Sequence, residues 1–249
     1  MTGPADLTAT LLGVAVLMTL TVAVLWVSHV PHRFAPAVAI LRGAAQLAMV
    51  SIVLSRVITS PVWVGLALLV MFTVAAVTAA RRIYWSWGHL ALVSAAMAGG
   101  IAVTLAIVFA TGAIAFTPRY ALAIGGIVIG NAMSIATLAG RRFAESVRDR
   151  WEHVEGWLAL GATPRQSTLD LARNAIYSAL IPSTDQTKTT GLVTLPGAFV
   201  GAIFGGVSPL EAGRFQIVVL ASIMAAGSIT AVVIVRALAP VRVRPGALR

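Results

Sequence analysis

The polar segment Arg141–Leu180 reads RRFAESVRDRWEHVEGWLALGATPRQSTLDLARNAIYSAL and is set between stretches that are almost purely apolar. It contains five of the chain's eight acidic residues. The chain has 249 residues, of which 59% are hydrophobic and 10% charged, and its mean hydropathy is +0.93. A soluble domain of this length cannot bury that much apolar surface. The composition therefore indicates a membrane protein whose polar segment lies in water, where another protein can grip it.

Apolar runs of about 20 residues recur along the chain, which is the length needed to cross a hydrocarbon core of roughly 30 Å. Backbone polar groups in lipid must be paired within their own segment, so these runs should be helices. The sequence predicts an all-α bundle of seven membrane-spanning helices in one permease-like domain, residues 1–249. The predicted spans are Thr8–Ser28, Ala35–Ser55, Pro61–Ala80, His89–Thr111, Ala121–Ala139, Ser183–Gly206 and Arg214–Arg236.

The arginines predict the orientation of these spans. If the N-terminus is outside, 13 arginines fall in inside segments and three, Arg56, Arg119 and Arg214, in outside segments. Cytoplasmic loops carry an excess of Lys and Arg, so we expect an N-out/C-in chain with a cytoplasmic hairpin over residues 141–180. Met1–Ala9 contains no basic residue but includes Asp6, which favours a retained first span over a cleaved signal peptide. Pro240–Arg249 is expected to be a short basic tail near anionic headgroups.

In the polar segment, apolar residues recur at helical spacing both before and after Gly161. Five apolar residues step by four, four, three and four positions and so share one helical face: Phe143, Val147, Trp151, Val154 and Leu158. Four more share a face of the following helix: Leu169, Ala172, Ile176 and Leu180. Gly161 can end the first helix in the left-handed conformation. Thr163-Pro164-Arg165-Gln166 has the residues of a capping box at the start of the second.

Charge pairing is expected on the exposed sides of these helices. Arg141–Glu145 and Arg148–Glu152 have the i,i+4 spacing of helical ion pairs. Large aromatic residues in such a hairpin are usually buried against something, and Trp151 and Trp157 are therefore candidates for contact with a partner.

The predicted sixth span carries a stripe of small residues. Gly197, Gly201 and Gly205 recur every four positions, which lets helices approach closely in lipid. Pro196 should kink the helix, because it lacks an N–H group and clashes with the preceding turn. A kinked, glycine-faced helix can pack in two arrangements, as alternating access requires. Ordinary helix packing explains the same stripe.

Three ionisable residues fall within predicted spans and are candidates for a translocation path. Asp185 and Lys188, at the cytoplasmic start of the sixth span, are three positions apart and can pair on one helical face. Lys188 could instead extend its ammonium group to the interface. Arg42 in the second span has no acidic partner on its own helix and should face water or another helix.

Several motifs together carry a resemblance to a known family. Glu155–Gly161 resembles the EAA-type loop of ABC transporter permeases, in which an acidic residue lies six positions before a glycine. A longer set resembles the FetB-type permease family, which includes iron exporters and plant aluminium-tolerance proteins: Val154–Gln166, Leu180–Ser183, Gly191–Gly197, Gly205–Ala212 and Gln216–Val219. The first 125 residues resemble this family only in hydropathy.

The resemblance implies a bacterial inner-membrane permease subunit that is not itself an enzyme and that exports its substrate or redistributes it within the cell. Iron is the suspected substrate by resemblance alone, and a sugar nucleotide or a lipid-like cargo is the alternative. Two copies would pair and recruit cytoplasmic P-loop ATPase subunits, which would bind ATP and Mg²⁺. The implied coupling residues are Trp151, Glu155, Trp157, Gly161, Ala162, Thr163 and Pro164. Gly156 and Trp157 differ from the alanines of the importer pattern, and the closing hydrophobe-proline pair comes later, at Ile181-Pro182, so a binding-protein-dependent importer is disfavoured.

Other classes of function find less support in the sequence. No G-x-x-x-x-G-K-[ST] motif is present, so this chain should not bind ATP as P-loop proteins do. The chain has no cysteine, and Pro31 gives His29 and His32 poor geometry for a metal, so no metal site is expected. The positive charge lies at span ends, and no nucleic-acid binding is expected. A secondary transporter or channel that uses Asp185 and Lys188 without an ATPase remains the alternative.

Overall fold

The computed structural model describes residues 4–57, 60–244 and 246, with side chains from residue 8 to 51 and from residue 60 onward. Arg249 and the side chains of Asp6 and Arg56 lie outside the described residues. The described chain forms nine α-helices: α1 (Pro4–Val27), α2 (Ala35–Val57), α3 (Pro61–Ile83), α4 (Trp87–Ala110), α5 (Pro118–Asp149), α6 (Trp151–Ala159), α7 (Leu169–Thr189), α8 (Gly197–Phe204) and α9 (Pro209–Leu238). The chain divides into two compact units, one with α1 and α2 and one with α3–α9.

The first unit is a helical hairpin. The turn between α1 and α2 contains two residues with left-handed backbone, His29 (φ 51°) and His32 (φ 59°). The Arg33 guanidinium lies 4.7 Å from the centre of the Trp26 ring, a cation–π contact across this turn. Arg42 lies on α2 with an exposed side chain.

The second unit is a bundle whose helices approach closely at small residues. The Thr230 hydroxyl donates to the Ala96 carbonyl at 3.5 Å, and a Cβ added at Gly100 would lie 2.7 Å from the Ala226 carbonyl. These contacts show that α4 and α9 are antiparallel. Helix α3 runs parallel to α5, because Gly125 packs against Leu68 and Gly140 against Ile83. Both relative directions are those expected if the predicted spans cross the membrane alternately in opposite directions.

Five of the described helices are long and apolar enough to cross a membrane: residues Thr8–Val27 of α1, and α3, α4, α5 and α9. A shorter apolar stretch, Ala35–Ser51, lies in α2. These helices correspond to six of the seven predicted spans. The prediction of a polytopic, all-α membrane protein is confirmed.

The remaining predicted span, the sixth in chain order, was one continuous helix over Ser183–Gly206. This prediction is wrong. Helix α7 ends at Thr189 and α8 begins at Gly197. Between them Gly191 has a φ of +87°, and the Thr189 carbonyl accepts hydrogen bonds from the N–H groups of Val193 (2.9 Å) and Thr194 (3.1 Å). Pro196 caps the start of α8 rather than kinking a helix. The predicted start of this span, directly after Pro182, is also misplaced, because this proline lies inside α7.

Candidate functional site

The buried face predicted for the polar segment is confirmed. Phe143, Val147 and Val154 are almost fully buried, and Trp151 and Leu158 pack against the same core. The helix itself breaks at Arg150 (φ −112°, ψ 35°), where α5 gives way to α6. The buried face nevertheless continues across the break, so α6 is firmly attached to the bundle.

The break also changes the predicted ion pairs. Arg141 and Glu145 lie 3.9 Å apart, as predicted. Arg148 instead pairs with Asp149 at 3.4 Å. An i,i+4 pair between Arg148 and Glu152 needs a continuous helix, and the turn at Arg150 removes it.

The turn after α6 has the predicted geometry. Gly161 has a φ of +90°, its N–H donates to the Leu158 carbonyl, and the Ala162 N–H donates to the Trp157 carbonyl, both at 3.0 Å. These two bonds form a Schellman motif, which satisfies carbonyls at the end of a helix. Gly161 therefore occupies a position that favours glycine.

The capping box follows directly. The Thr163 N–H donates to Gln166 Oε1 at 2.8 Å, and the Gln166 N–H donates to Thr163 Oγ1 at 3.3 Å. The box does not begin α7 itself, which starts at Leu169 after a further turn. We define the tip as Glu155–Pro164, the end of α6 and this turn.

Two groups fix the far side of the tip to the bundle. The buried Thr168 hydroxyl donates to the Ala239 carbonyl at the end of α9, at 2.7 Å. Beyond it, α7 packs through four buried residues, Leu171, Ala172, Ala175 and Ala179. Leu169, predicted to share a face with Ala172, is instead exposed at the first position of the helix. The segment predicted as a cytoplasmic hairpin is therefore attached to the bundle on both sides.

The outer surface of the tip is partly apolar. Trp157 is 48% exposed and Leu160 83% exposed, and the Trp157 indole N–H donates to His153 Nε2 at 3.2 Å. Six of the seven predicted coupling residues lie together here, whereas Trp151 faces the core. Sequence reasoning missed Leu160. Its position directly before the glycine of a helix-ending turn could have indicated its exposure.

Asp185 and Lys188 form the predicted ion pair, with 3.5 Å between the carboxylate and the ammonium group. Their position differs from the prediction. Helix α7 runs antiparallel to α9, with Thr168 beside Ala239 and Thr184 Oγ1 4.0 Å from Met224 Sδ. Met224 lies at the middle of α9, so the pair lies within about 6 Å of the centre of this spanning helix. It lies near mid-span rather than at the cytoplasmic start.

The glycine stripe makes no close contact within the described part of the chain. A Cβ at Gly197 or Gly201 would meet nothing within 4 Å, and one at Gly205 would meet only backbone of its own helix, 3.3 Å away. Arg42 belongs to the first unit, whereas the other predicted path residues belong to the second. Among the described residues, no three His, Cys, Asp or Glu side chains form a group that could hold a metal ion.

Comparison with known proteins gives one consistent result. The profile of the "Uncharacterised protein family (UPF0014)" matches residues 8–241. The "UPF0014 membrane protein STAR2" of Oryza sativa subsp. japonica is 40% identical over 198 residues, 78% of this chain and 69% of that protein. "Protein ALUMINUM SENSITIVE 3" of Arabidopsis thaliana is 35% identical over 193 residues, 77% of this chain and 71% of that protein.

A bacterial relative is similar over a shorter region. The "Probable iron export permease protein FetB" of Escherichia coli (strain K12) is 37% identical over 134 residues, 54% of this chain and 52% of that protein. No solved structure matches the chain.

Proposed function

Because the chain belongs to the UPF0014 family of membrane proteins, we propose that it is the membrane-spanning permease subunit of an ATP-driven transporter. The observation that carries this proposal is the tip, Glu155–Pro164, which is exposed on its outer surface and firmly attached to the bundle on both sides. Hydrolysis of ATP, with Mg²⁺, takes place on a separate P-loop ATPase that grips the tip from the cytoplasm.

The attachments of the tip provide a route for movement. Val154 is buried in the core of the bundle, and Thr168 is bonded to the end of α9. A force on the tip would therefore displace α7 and α9 together rather than bend a loose loop. The other half of α7 carries Asp185 and Lys188, so motion of the ATPase would reach the charged pair near the membrane centre.

Trp157 and Leu160 would be the main contacts with the ATPase. Large exposed apolar side chains next to a polar rim are typical of protein–protein anchors. Glu155, whose side chain is exposed, would pair with a basic group of the partner. Trp151, which faces the core, would support the tip from inside.

A second copy of the chain would complete the transporter. A Cβ added at Gly197 or Gly201 would meet nothing within 4 Å, and small residues at this spacing would let helices from two copies approach closely. The broken segment from Thr190 to Gly205 would then lie at the interface, where Pro196 and the loop before it could rearrange as the path opens. Asp185 and Lys188 would face this path, since an unshielded charge in lipid is unfavourable. Arg42, in the first unit, would face water or a partner for the same reason.

The proposed substrate is iron, and the proposed direction is export. Support comes from the Escherichia coli relative, which is named as a probable iron export permease protein, and a bacterial inner membrane is the proposed location on the same ground. The described residues add no metal-binding group of their own.

Co-purification tests the proposal. The tagged full chain would be purified from its native membranes, and the P-loop ATPase recovered per chain would be measured together with ATP hydrolysis in vesicles. We expect Leu160→Glu to remove the ATPase and its activity. Val243→Glu is the matched control, because Val243 is 78% exposed in the C-terminal tail, outside the tip. Equal recovery of the ATPase with both variants would contradict docking at the tip.

The position of the charged pair favours a second candidate, a secondary transporter driven by an ion gradient. In that case the chain alone would move its substrate, and Asp185→Asn would abolish movement. Asp170→Asn is the control, because Asp170 pairs with Arg173 at 3.7 Å in the same i,i+3 arrangement at the start of α7. Transport by the purified chain without any ATPase would support this candidate over the first.

A further inference from the structure

An open groove of about 410 Å³ lies between the end of α3 and the second half of α5. Three arginines line it, Arg82 from α3 and Arg141 and Arg142 from α5, together with Glu145 and the hydroxyls of Ser134 and Thr137. The two helices meet here because Gly140 leaves room for Ile83. The proposed transport mechanism uses none of these side chains.

The groove carries an excess of positive charge. Glu145 is the one carboxylate in it, and it lies 3.9 Å from Arg141 and 3.7 Å from Arg142. Both distances are long for an ion pair, so most of the guanidinium donors remain available. Arg82 has no carboxylate partner within the described part of the chain. The three arginines and one glutamate leave the groove with a net charge of +2.

Aromatic residues beside the groove mark its depth in the membrane. Tyr84 and Trp85, in the turn that follows α3, and Trp87, the first residue of α4, are exposed. Exposed Trp and Tyr concentrate at the headgroup level. The Arg81 guanidinium lies 5.1 Å from the centre of the Trp85 ring. Arg82, the next residue, is therefore also at the level of the lipid headgroups.

We propose that this groove binds the phosphate of an anionic phospholipid. Guanidinium groups hold phosphate oxygens through paired hydrogen bonds, and basic pockets between membrane helices recognise such headgroups. The arginines supply the donors, because Ser134 and Thr137 donate to carbonyls of their own helix. A lipid is the expected source of the phosphate, since the groove opens at headgroup level. This site does not depend on the proposed ATPase.

Lipid retention measures this binding directly. The full chain would be purified from nanodiscs of phosphatidylcholine with a minor fraction of phosphatidylglycerol, and the lipids retained would be counted by native mass spectrometry. We expect selective retention of phosphatidylglycerol. Each basic residue near a headgroup contributes roughly a fivefold factor, so the double change Arg82→Gln with Arg142→Gln should weaken retention about 30-fold.

Two further variants keep the test decisive if the double variant folds poorly. Arg81→Gln removes a neighbouring arginine that stacks on Trp85 outside the groove. It should weaken retention by no more than the roughly fivefold factor of one basic residue at headgroup level, well short of the effect of the double variant. Glu145→Gln removes the competing carboxylate and should increase retention. Equal retention of the two lipids, or no change in the double variant and in Glu145→Gln, would overturn the proposal. Displacement of the lipid by glycerol phosphate at equal concentration would instead assign the site to free phosphate and overturn the lipid assignment.

Discussion

The Thr168 hydroxyl donates a hydrogen bond to the Ala239 carbonyl, 2.7 Å away, and both groups are buried. This bond joins two positions 71 residues apart, the start of α7 and the end of α9. Ala239 follows the last turn of α9, where a carbonyl has no partner within the helix. Thr168 therefore satisfies the end of one helix while it fixes the start of another.

Replacement of Thr168 by Val should measure what this bond contributes. The substitution keeps the shape of the side chain but removes one of two hydrogen bonds to the Ala239 carbonyl, which still accepts from the Val241 N–H at 2.7 Å. The loss should therefore be about 0.5–1.5 kcal/mol. We expect a lower unfolding temperature in detergent. Ser167→Ala is the control, because the Ser167 hydroxyl bonds only to the Pro164 carbonyl within its own turn. If both variants unfold at the same temperature, the bond to Ala239 adds nothing to stability.

Close packing of α4 on α9 gives a second prediction. A Cβ at Gly100 would lie 2.7 Å from the Ala226 carbonyl and 2.8 Å from Thr230 Oγ1, whereas one at the adjacent Gly99 would meet nothing within 4 Å. Gly100→Val should therefore destabilise the bundle by about 1–3 kcal/mol, the usual range for overpacking. Gly99→Val should unfold like the unmodified chain in the same denaturation experiment. A larger loss at Gly99 would show that the two helices are packed differently.

Local interactions explain what the sequence predicted well. The turn at Gly161 and the capping box from Thr163 to Gln166 involve groups within five residues of one another, so the residue types alone specify them. The long spans were also predictable, since a helix exposed to lipid needs about 20 apolar residues.

The prediction from sequence was wrong where the position of a segment depends on its contacts with distant parts of the chain. Helix α7 packs on its neighbours largely through Ala172, Ala175 and Ala179, whose hydropathy signal is weak, so its residues up to Leu180 were assigned to the cytoplasmic hairpin. The depth of Asp185 follows from the contact between Thr184 and Met224, and no local pattern encodes that contact. The arginine groove likewise forms only when α3 and α5 lie side by side.

Water access near the charged pair gives a third prediction. The chain has no cysteine, so single cysteines can be labelled without a background. Gln186, exposed beside Asp185 on α7, should react as Gln186→Cys with a charged thiol reagent in intact membranes, because a charged pair near mid-span needs water or a partner. Leu69→Cys is the control on α3, where Leu69 is 60% exposed and expected to face lipid. Equal and slow labelling at both positions would argue against a hydrated path.

The turn at Gly161 gives the fourth prediction, which tests transmission of movement separately from docking. At a φ of +90°, a side chain with a Cβ costs about 1–2 kcal/mol, and Val adds branching next to the backbone. Gly161→Val should change the direction in which the chain leaves α6, with no steric clash, since nothing lies within 4 Å. We expect the variant to insert and to support ATP hydrolysis by the bound partner, with much less substrate moved per ATP. Gly156→Val is the matched control, because Gly156 is equally free of neighbours but has ordinary helical backbone within α6. A normal ratio of substrate to ATP in Gly161→Val would mean that the turn does not transmit movement, even if the ATPase binds at the tip.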